Sequence, residues 1–352
     1  MKIFTIVGAR PQFIKAALVS RKIRKRHAEI LLHTGQHYDY DMSDVFFKTL
    51  GVPKPDYSLG IGSGLHGEQT GKMLVGIEKA LKREEPDVVL VYGDTNSTLA
   101  GALAASKLHI PIAHVEAGLR SFNRKMPEEI NRVITDHLSK LLFCPTKTAV
   151  RNLRDEGITE GVHLVGDVMY DLFIAMRPQV EKSNIPNRLS LEPGVYNLLT
   201  LHRQENADTA ANLRAVLSAV AESGVATVFP VHPRTSGNLK RFRMDAWARR
   251  IPNLKMTEPL GYLDFQKLLI NAGKVLTDSG GVQKEAYFAK VPCITLRGET
   301  EWVETVQDGW NILVGCGKKR ILRAIKQFKP RKRQRKLFGD GKSAGRMASL
   351  LG

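Results

Sequence analysis

Ile3-Phe4-Thr5-Ile6-Val7-Gly8-Ala9-Arg10-Pro11 opens the chain almost at once: an apolar, β-branched run, a glycine, then a proline. A β-branched run suits a buried strand, and proline is tolerated in the first turn of a helix, so the stretch reads as a strand turning into a helix. A second junction of the same kind, Val275-Leu276-Thr277-Asp278-Ser279-Gly280-Gly281-Val282-Gln283, lies far along the chain. Each is expected to leave free backbone N–H groups at a helix N-terminus, a ready place for an anion. Two such sites in two halves of one chain suggest a diphosphate held in a cleft between domains, and with it a nucleotide-linked substrate.

Outward from these junctions, strand-like runs alternate with helix-length amphipathic stretches. That rhythm predicts βαβ units and parallel sheets. In the first half, strands are expected near 2–8, 29–34, 87–92, 111–115, 141–144 and 162–166. Helices are expected near 11–26, 39–50, 67–84, 95–107, 127–139 and 146–156. A stretch rich in glycine and proline, 51–67, reads as a loop and a candidate flap. Around 177–193 the pattern dissolves into polar residues and prolines, which reads as an inter-domain linker. The rhythm restarts with strands near 195–201, 225–231, 254–257, 273–277 and 291–296. The expected architecture is therefore α/β, with two Rossmann-like domains over 1–170 and 171–340 whose ligands sit at the carboxyl ends of the strands. A last helix within 341–352 is expected to pack back on the first domain.

Composition narrows the class. The 352 residues exceed a comfortable single core, and 43% hydrophobic with 25% charged residues is ordinary for a folded, soluble domain pair. No apolar run reaches the ~18 residues of a membrane span, and the start lacks the apolar stretch of a signal peptide, so a cytoplasmic protein is expected. The three cysteines, Cys144, Cys293 and Cys316, stand apart without metal-ligand spacing, so no metal is expected. The net charge of +18 is concentrated partly in Arg21 to Arg26 and in Lys318 to Lys336. A solvated helix face and loop account for it, since no nucleic-acid fold signature accompanies it.

Most residues capable of chemistry fall just after predicted strands. Asp94 follows Val88 to Tyr92, a position that an N-cap also suits. Glu116 follows Ile112 to Val115, where a carboxylate is costly unless paired, for example with Arg120 or Arg124, or working. Glu128 lies behind Pro127 in the first turn of a helix, where the dipole favours it, and Arg132 is one turn further on the same face. Three carboxyl groups at one sheet edge can have their protonation states pushed apart, as acid–base chemistry requires. In the second half, His202 and Arg203 follow a strand and suit a phosphate or leaving group, with His232 a weaker parallel. Ser279, Gly280 and Gly281 let backbone N–H groups approach phosphate, and Glu285, two turns into the next helix, suits ribose hydroxyls. Neither GxxxxGK[ST] nor GxGxxG occurs, so Arg10, Lys15, His202, Arg203 and helix termini are left to neutralise a diphosphate.

Taken together, these motifs closely resemble the non-hydrolysing UDP-N-acetylglucosamine 2-epimerases, a family with the GT-B fold, over nearly the whole chain. The resemblance rests on Gly8-Ala9-Arg10-Pro11 with Lys15, Thr34-Gly35-Gln36-His37, Gly93-Asp94-Thr95 and His114-Val115-Glu116-Ala117-Gly118-Leu119-Arg120. It continues in Pro127-Glu128-Glu129-Ile130-Asn131-Arg132, His202-Arg203, the 277–283 junction with Glu285, and Gly339-Asp340-Gly341. Within the family, Ala9, Gln12, Ser121-Phe122-Asn123 and Thr300-Glu301-Trp302-Val303-Glu304 resemble the branch acting on UDP-2,3-diacetamido-2,3-dideoxy-glucuronic acid. The simpler enzymes tend to carry Thr at 9, Glu at 12 and a Thr-Glu-Arg-Pro-Glu segment at 300–304. Asp39 stands where family members regulated by UDP-GlcNAc carry a glutamine, so such regulation is expected to be absent.

The resemblance implies reversible inversion at C2 of a UDP-sugar by loss and re-addition of UDP, without cofactor. Asp94, Glu116 and Glu128 would serve proton transfer as a set, and Arg10, Lys15 and His202 would stabilise the departing diphosphate. Ser279, Gly280 and Gly281, with Arg203, would hold phosphate, Glu285 the ribose, and Arg132 a carboxylate or the sugar. It also implies a homodimer and a role in polysaccharide or lipopolysaccharide biosynthesis. The competing readings are a GT-B glycosyltransferase using a UDP-sugar donor, a hydrolysing epimerase, and a non-catalytic sugar-nucleotide sensor or nucleic-acid binder.

Overall fold

From Ile3 to Val7 the first strand, β1 (Lys2–Val7), is buried, and the apolar run that predicted it is spent on a sheet covered on both faces. A computed structural model describes residues 1–36 and 51–352, with the side chain of Arg10 outside the described atoms. The chain divides into two units, Met1–Ala175 with Lys336–Gly352, and Met176–Arg335.

The first unit is a parallel sheet ordered β3-β2-β1-β4-β5-β6-β7. Its other strands are β2 (Ala28–His33), β3 (Tyr57–Ser58), β4 (Val88–Tyr92), β5 (Ile112–Val115), β6 (Leu141–Cys144) and β7 (Val162–Leu164). β4, Val-Val-Leu-Val-Tyr, is buried along its whole length. Phe4, Ile6, Val89 and Val91 pack against Met73 and Ile77 of helix His66–Glu84 and the alanines of helix Asn96–Lys107. The last helix, Ser343–Leu350, packs on the first, Arg10–Ile23. Asp171 accepts the Ala344 N–H at 2.8 Å, and Arg26 donates to Ser349 at 3.1 Å.

The second unit is a parallel sheet ordered β10-β9-β8-β11-β12-β13. Its strands are β8 (Asn197–Thr200), β9 (Thr227–Pro230), β10 (Leu254–Thr257), β11 (Lys274–Thr277), β12 (Cys293–Thr295) and β13 (Asn311–Leu313). Successive strand residues feed opposite faces. Leu199, Leu276 and Ile294 join one apolar cluster with Leu213 and Ile321, while Leu198, Val275 and Cys293 join another with Leu268 and Ala286. Among the described residues no helix is long and apolar enough to cross a membrane.

In each sheet the strand order reverses beside the first strand of the unit, between β1 and β4 and between β8 and β11. A doubly wound sheet opens a crevice at that point, at the carboxyl ends of its strands. Gly8 and Asp94 follow β1 and β4; His202 and Asp278 follow β8 and β11.

Three expectations need correction. The stretch 177–193 is not an extended linker: helix Val168–Glu181 runs into it with Pro178 inside, and a short helix, Ile185–Arg188, follows. The stretch 51–67 is not wholly loop, because Tyr57 and Ser58 pair with Leu32 and His33, and His66 already belongs to a helix. β13 went unrecognised, a three-residue strand bounded by turns. The helix expected near 39–50, with His37 and Asp39, lies outside the described residues.

Candidate active site

At the end of β1 two backbone N–H groups of the expected anion site are already taken. The side-chain oxygen of Gln12 accepts the N–H groups of Gly8 and Ala9 at 2.8 and 3.0 Å, and its amide nitrogen donates to the Tyr92 carbonyl and Thr98 Oγ1 at 2.9 and 3.0 Å. Gln12 is fully buried and spends both ends of its amide on this clamp. Gly8 itself is required by close approach, since a Cβ there would sit 2.0 Å from Thr34 Oγ1 and 2.2 Å from Ser97 Oγ. Through Gln12 the junction is joined to the end of β4 and the start of the helix after it.

Asp94, directly after β4, is not the N-cap of the next helix; Thr95 is, accepting from Thr98 N. Asp94 instead receives the Arg132 guanidinium through Nε at 3.0 Å and Nη2 at 2.5 Å. Arg132, almost fully buried, gives Nη1 to Glu129 at 2.8 Å, and Asn131 donates to the Asp94 carbonyl at 2.9 Å. Arg132 thus also pairs with Glu129, three residues before it; Glu128 is half-buried in the first turn of helix Pro127–Leu138. Glu129 also accepts the N–H groups of Ser121 and Phe122 at 2.9 and 2.8 Å. Burial pushes its carboxyl up, but the Ser121 N–H and Arg132 outweigh this and hold it below the usual range.

Glu116, after β5, is buried and ion-paired with Lys15 rather than with Arg120 or Arg124. Its backbone has φ 73°, a left-handed conformation that a non-glycine residue adopts only where surrounding contacts impose it. Lys15, expected at the diphosphate, thus faces the carboxylate. Behind the pair lies a second chain of charges. His114 Nδ1 is 2.7 Å from Asp136 Oδ1, and Asp136 Oδ2 accepts from Arg120 at 2.7 Å and from Gly118 N at 3.1 Å. Arg120 continues to Glu156 with two contacts of 2.6 Å. Burial drives the Asp136 carboxyl up, yet His114 and Arg120 more than offset it and keep it below the ordinary carboxylate range.

In the second unit the carboxylate of Asp278 is the organiser. Fully buried, it accepts the N–H groups of His202 and Arg203 at 3.1 Å each, and Asn206 Nδ2 at 3.1 Å. His202 Nδ1 is 3.4 Å from Asp278 Oδ1, and its ring lies 5.5 Å from that of His232. His232 caps helix Pro233–Arg241, its Nδ1 accepting from Arg234 N at 3.2 Å. The glycine junction after β11 begins helix Gly280–Phe288 with Ser279 as N-cap. A Cβ at Gly280 would lie 2.1 Å from Glu301 Oε1, so the glycine admits the buried Arg297–Glu301 pair, 3.0 Å long. Glu285 is not on a solvated face but 6% exposed, and the adjacent Lys284 ammonium lies 4.0 Å from the Trp302 ring centroid. Among the described residues no group of three His, Cys, Asp or Glu is placed to hold a metal.

Residues 21–352 match the family described as UDP-N-acetylglucosamine 2-epimerase. The chain belongs to that family. Among its relatives, a UDP-N-acetylglucosamine 2-epimerase homolog of Methanococcus maripaludis is 56% identical over 100% of this chain and 99% of its own. The UDP-2,3-diacetamido-2,3-dideoxy-D-glucuronate 2-epimerase of Pseudomonas aeruginosa is 49% identical over 100% and 99% of the two chains. The crystal structure of Methanocaldococcus jannaschii UDP-GlcNAc 2-epimerase in complex with UDP-GlcNAc and UDP superposes with TM-score 0.94, at 47% identity, over 100% of this chain and 99% of that one. The 2-epimerase resemblance read from the motifs and the α/β, GT-B type fold of two Rossmann-like halves both hold.

The residues missed by sequence reasoning are the partners of those it found. Gln12, Glu129, His114, Asp278 and Glu301 all lie in quoted motifs, and Asp136 alone lies outside them. The available signal was a polar side chain in an otherwise apolar strand, as with His114 in Ile-Ala-His-Val, which is costly without a partner.

Proposed function

We propose that this 2-epimerase inverts C2 of a UDP-linked N-acetylated amino sugar through a glycal, with Asp94, Glu116 and Glu128 handling the protons. The observation that carries the reading is the exit of Asp94 and Glu116 from neighbouring strands β4 and β5, each joined to its own cation, Arg132 and Lys15. As the C1–O bond to UDP breaks, positive charge develops at C1 and acidifies the C2–H, so a carboxylate suffices to take that proton. The electron pair of the C2–H bond becomes the C1=C2 double bond, and UDP leaves with the C1–O pair. Return of a proton to the opposite face of C2, with re-addition of UDP at C1, gives the epimer; two faces need two carboxyl groups.

UDP is assigned to the second unit: His202 and Arg203 on the leaving phosphate, Ser279, Gly280 and Gly281 on the other, and Glu285 on the ribose. Arg10 completes the anion set, and Arg132 positions Asp94. Of the two substrates considered, UDP-2,3-diacetamido-glucuronic acid is placed ahead of UDP-GlcNAc on Ala9 and the 300–304 segment. Gln12 marks the same branch without contacting a ligand, since its amide is spent on the β1 junction. A homodimer in the cytoplasm, supplying manno-configured sugars for polysaccharide assembly, completes the proposal; sedimentation at micromolar concentration tests the dimer.

The deciding experiment incubates the protein in D₂O with each sugar nucleotide and follows C2 by proton NMR. Deuterium at C2 together with a manno epimer is expected from the true substrate. Turnover that needs an added acceptor, with no C2 exchange, overturns the assignment.

A further inference from the structure

His114 and Asp136 have no part in the chemistry above, yet both are buried to within 1% and meet at 2.7 Å between the two turns that carry the proposed proton-transfer groups. The ring of His114 reaches the first turn: its Nε2 is 2.7 Å from the carbonyl oxygen of Gly93, the peptide that launches Asp94. The carboxylate of Asp136 reaches the second, accepting from the N–H of Gly118, two residues beyond Glu116, at 3.1 Å. Both turns depend on left-handed backbone, with φ 64° at Gly93, 73° at Glu116 and 78° at Gly118. Glycine adopts this conformation freely, but at Glu116 it persists only where neighbours over-determine it. Further ties hold the second turn alone: Glu116 N and Ala117 N donate to Phe143 O at 3.1 and 3.2 Å, and Asn152 donates to Gly118 O at 2.9 Å.

A carbonyl oxygen only accepts, so His114 Nε2 donates to Gly93 O, while Nδ1 meets Asp136 Oδ1, whose other oxygen takes Gly118 N–H and Arg120. Asp136, Arg120 and Glu156 continue as ion pairs, the arrangement under which charges are tolerated in a core.

We propose that His114 and Asp136 are positioning residues for the epimerisation, a two-sided clamp that fixes Asp94 and Glu116 relative to one another through the peptides beside them. The proposal rests on the reading of those two carboxylates as proton-transfer groups, and the experiment separates the two.

Three variants bear on it. His114→Asn keeps a donor toward Asp136 but loses the reach to Gly93 O. Asp136→Ala removes the hub. Asp136→Asn can turn its amide nitrogen to His114 Nδ1 and its oxygen to Gly118 N–H and Arg120, so the hydrogen bonds survive while the carboxylate charge is lost. With each protein melted first and assayed below its transition, H114N and D136A are expected to lose kcat by about a hundredfold with KM changed less than about threefold. D136N is expected to stay within about tenfold of the parent. Full kcat in folded H114N overturns the clamp. So does D136N that is folded and as slow as D136A, because charge and not placement would then matter. Asp94→Asn and Glu116→Gln, assayed alongside by C2 deuterium exchange, report on the underlying reading: if both retain exchange, that reading falls whatever His114 does.

Discussion

The two halves of this protein use the same sheet topology to build opposite kinds of site. Beyond β4 and β5 the side chains of five carboxyl groups, two arginines, a lysine and a histidine are linked to one another chiefly by ion pairs. Beyond β8 and β11 a single buried carboxylate, Asp278, gathers backbone N–H groups, and a serine and two glycines begin a helix. One half presents groups that can gain and lose protons. On the proposed assignment, the other shapes a backbone for fixed negative charge. Elimination of a nucleoside diphosphate needs both, and the division predicts that substitutions in the two halves fail differently.

The sharpest break comes from Asp94→Asn or Glu116→Gln. Either is expected to lower kcat by roughly 10³–10⁴, read as C2 deuterium exchange, with substrate binding by calorimetry little changed. His202→Asn, in the other half, is expected to cost ~10²-fold in kcat, since one charged contact to a leaving group is worth about 2–4 kcal/mol. Its deficit should be smaller with a substrate whose leaving group is a weaker base. Asp278→Ala addresses scaffold rather than chemistry: it leaves the N–H groups of His202 and Arg203 without their acceptor, and a loss of about 3 kcal/mol is expected in urea titrations. Unaltered stability would show that Asp278 is not the organiser.

Acid is expected to act more gently. A carboxyl whose folded pKa lies below its unfolded value of about 4 stabilises the fold above that pH and ceases to as pH falls through the folded value. Asp136 and Glu129 both sit in the first half with depressed values. Melting temperature is expected to fall from pH 5 to pH 3, and to fall less steeply in Glu129→Gln. The smallest effect is expected from Arg331→Gln with Lys332→Gln, in the exposed basic stretch: no change in kcat and less than about 0.5 kcal/mol in stability.

What the sequence made legible was whatever one segment determines alone. β4 is an apolar run of strand length and β11 a short stretch with Val275 and Leu276 at its centre, and the motifs after them announce their own chemistry. Pairing was another matter. Whether Glu128 or Glu129 faces Arg132 depends on 100° of helix rotation, and both spacings, four and three, are neighbours on a helix. Gln12 looked like a branch marker because its partners, Tyr92 and Thr98, lie 80 and 86 residues away. The same holds for Asp278, whose partners are 75 and 76 residues back. At 177–193 the prolines misled, because Pro186 stands in the first turn of helix Ile185–Arg188, where its missing N–H costs nothing.

The first half is completed by Lys336–Gly352, and a Cβ at Gly352 would lie 2.5 Å from the sulfur of Met1. During synthesis, residues 176–335 emerge before the helix that seals Arg10–Ile23. The second half can therefore be finished while the first still waits for its last piece.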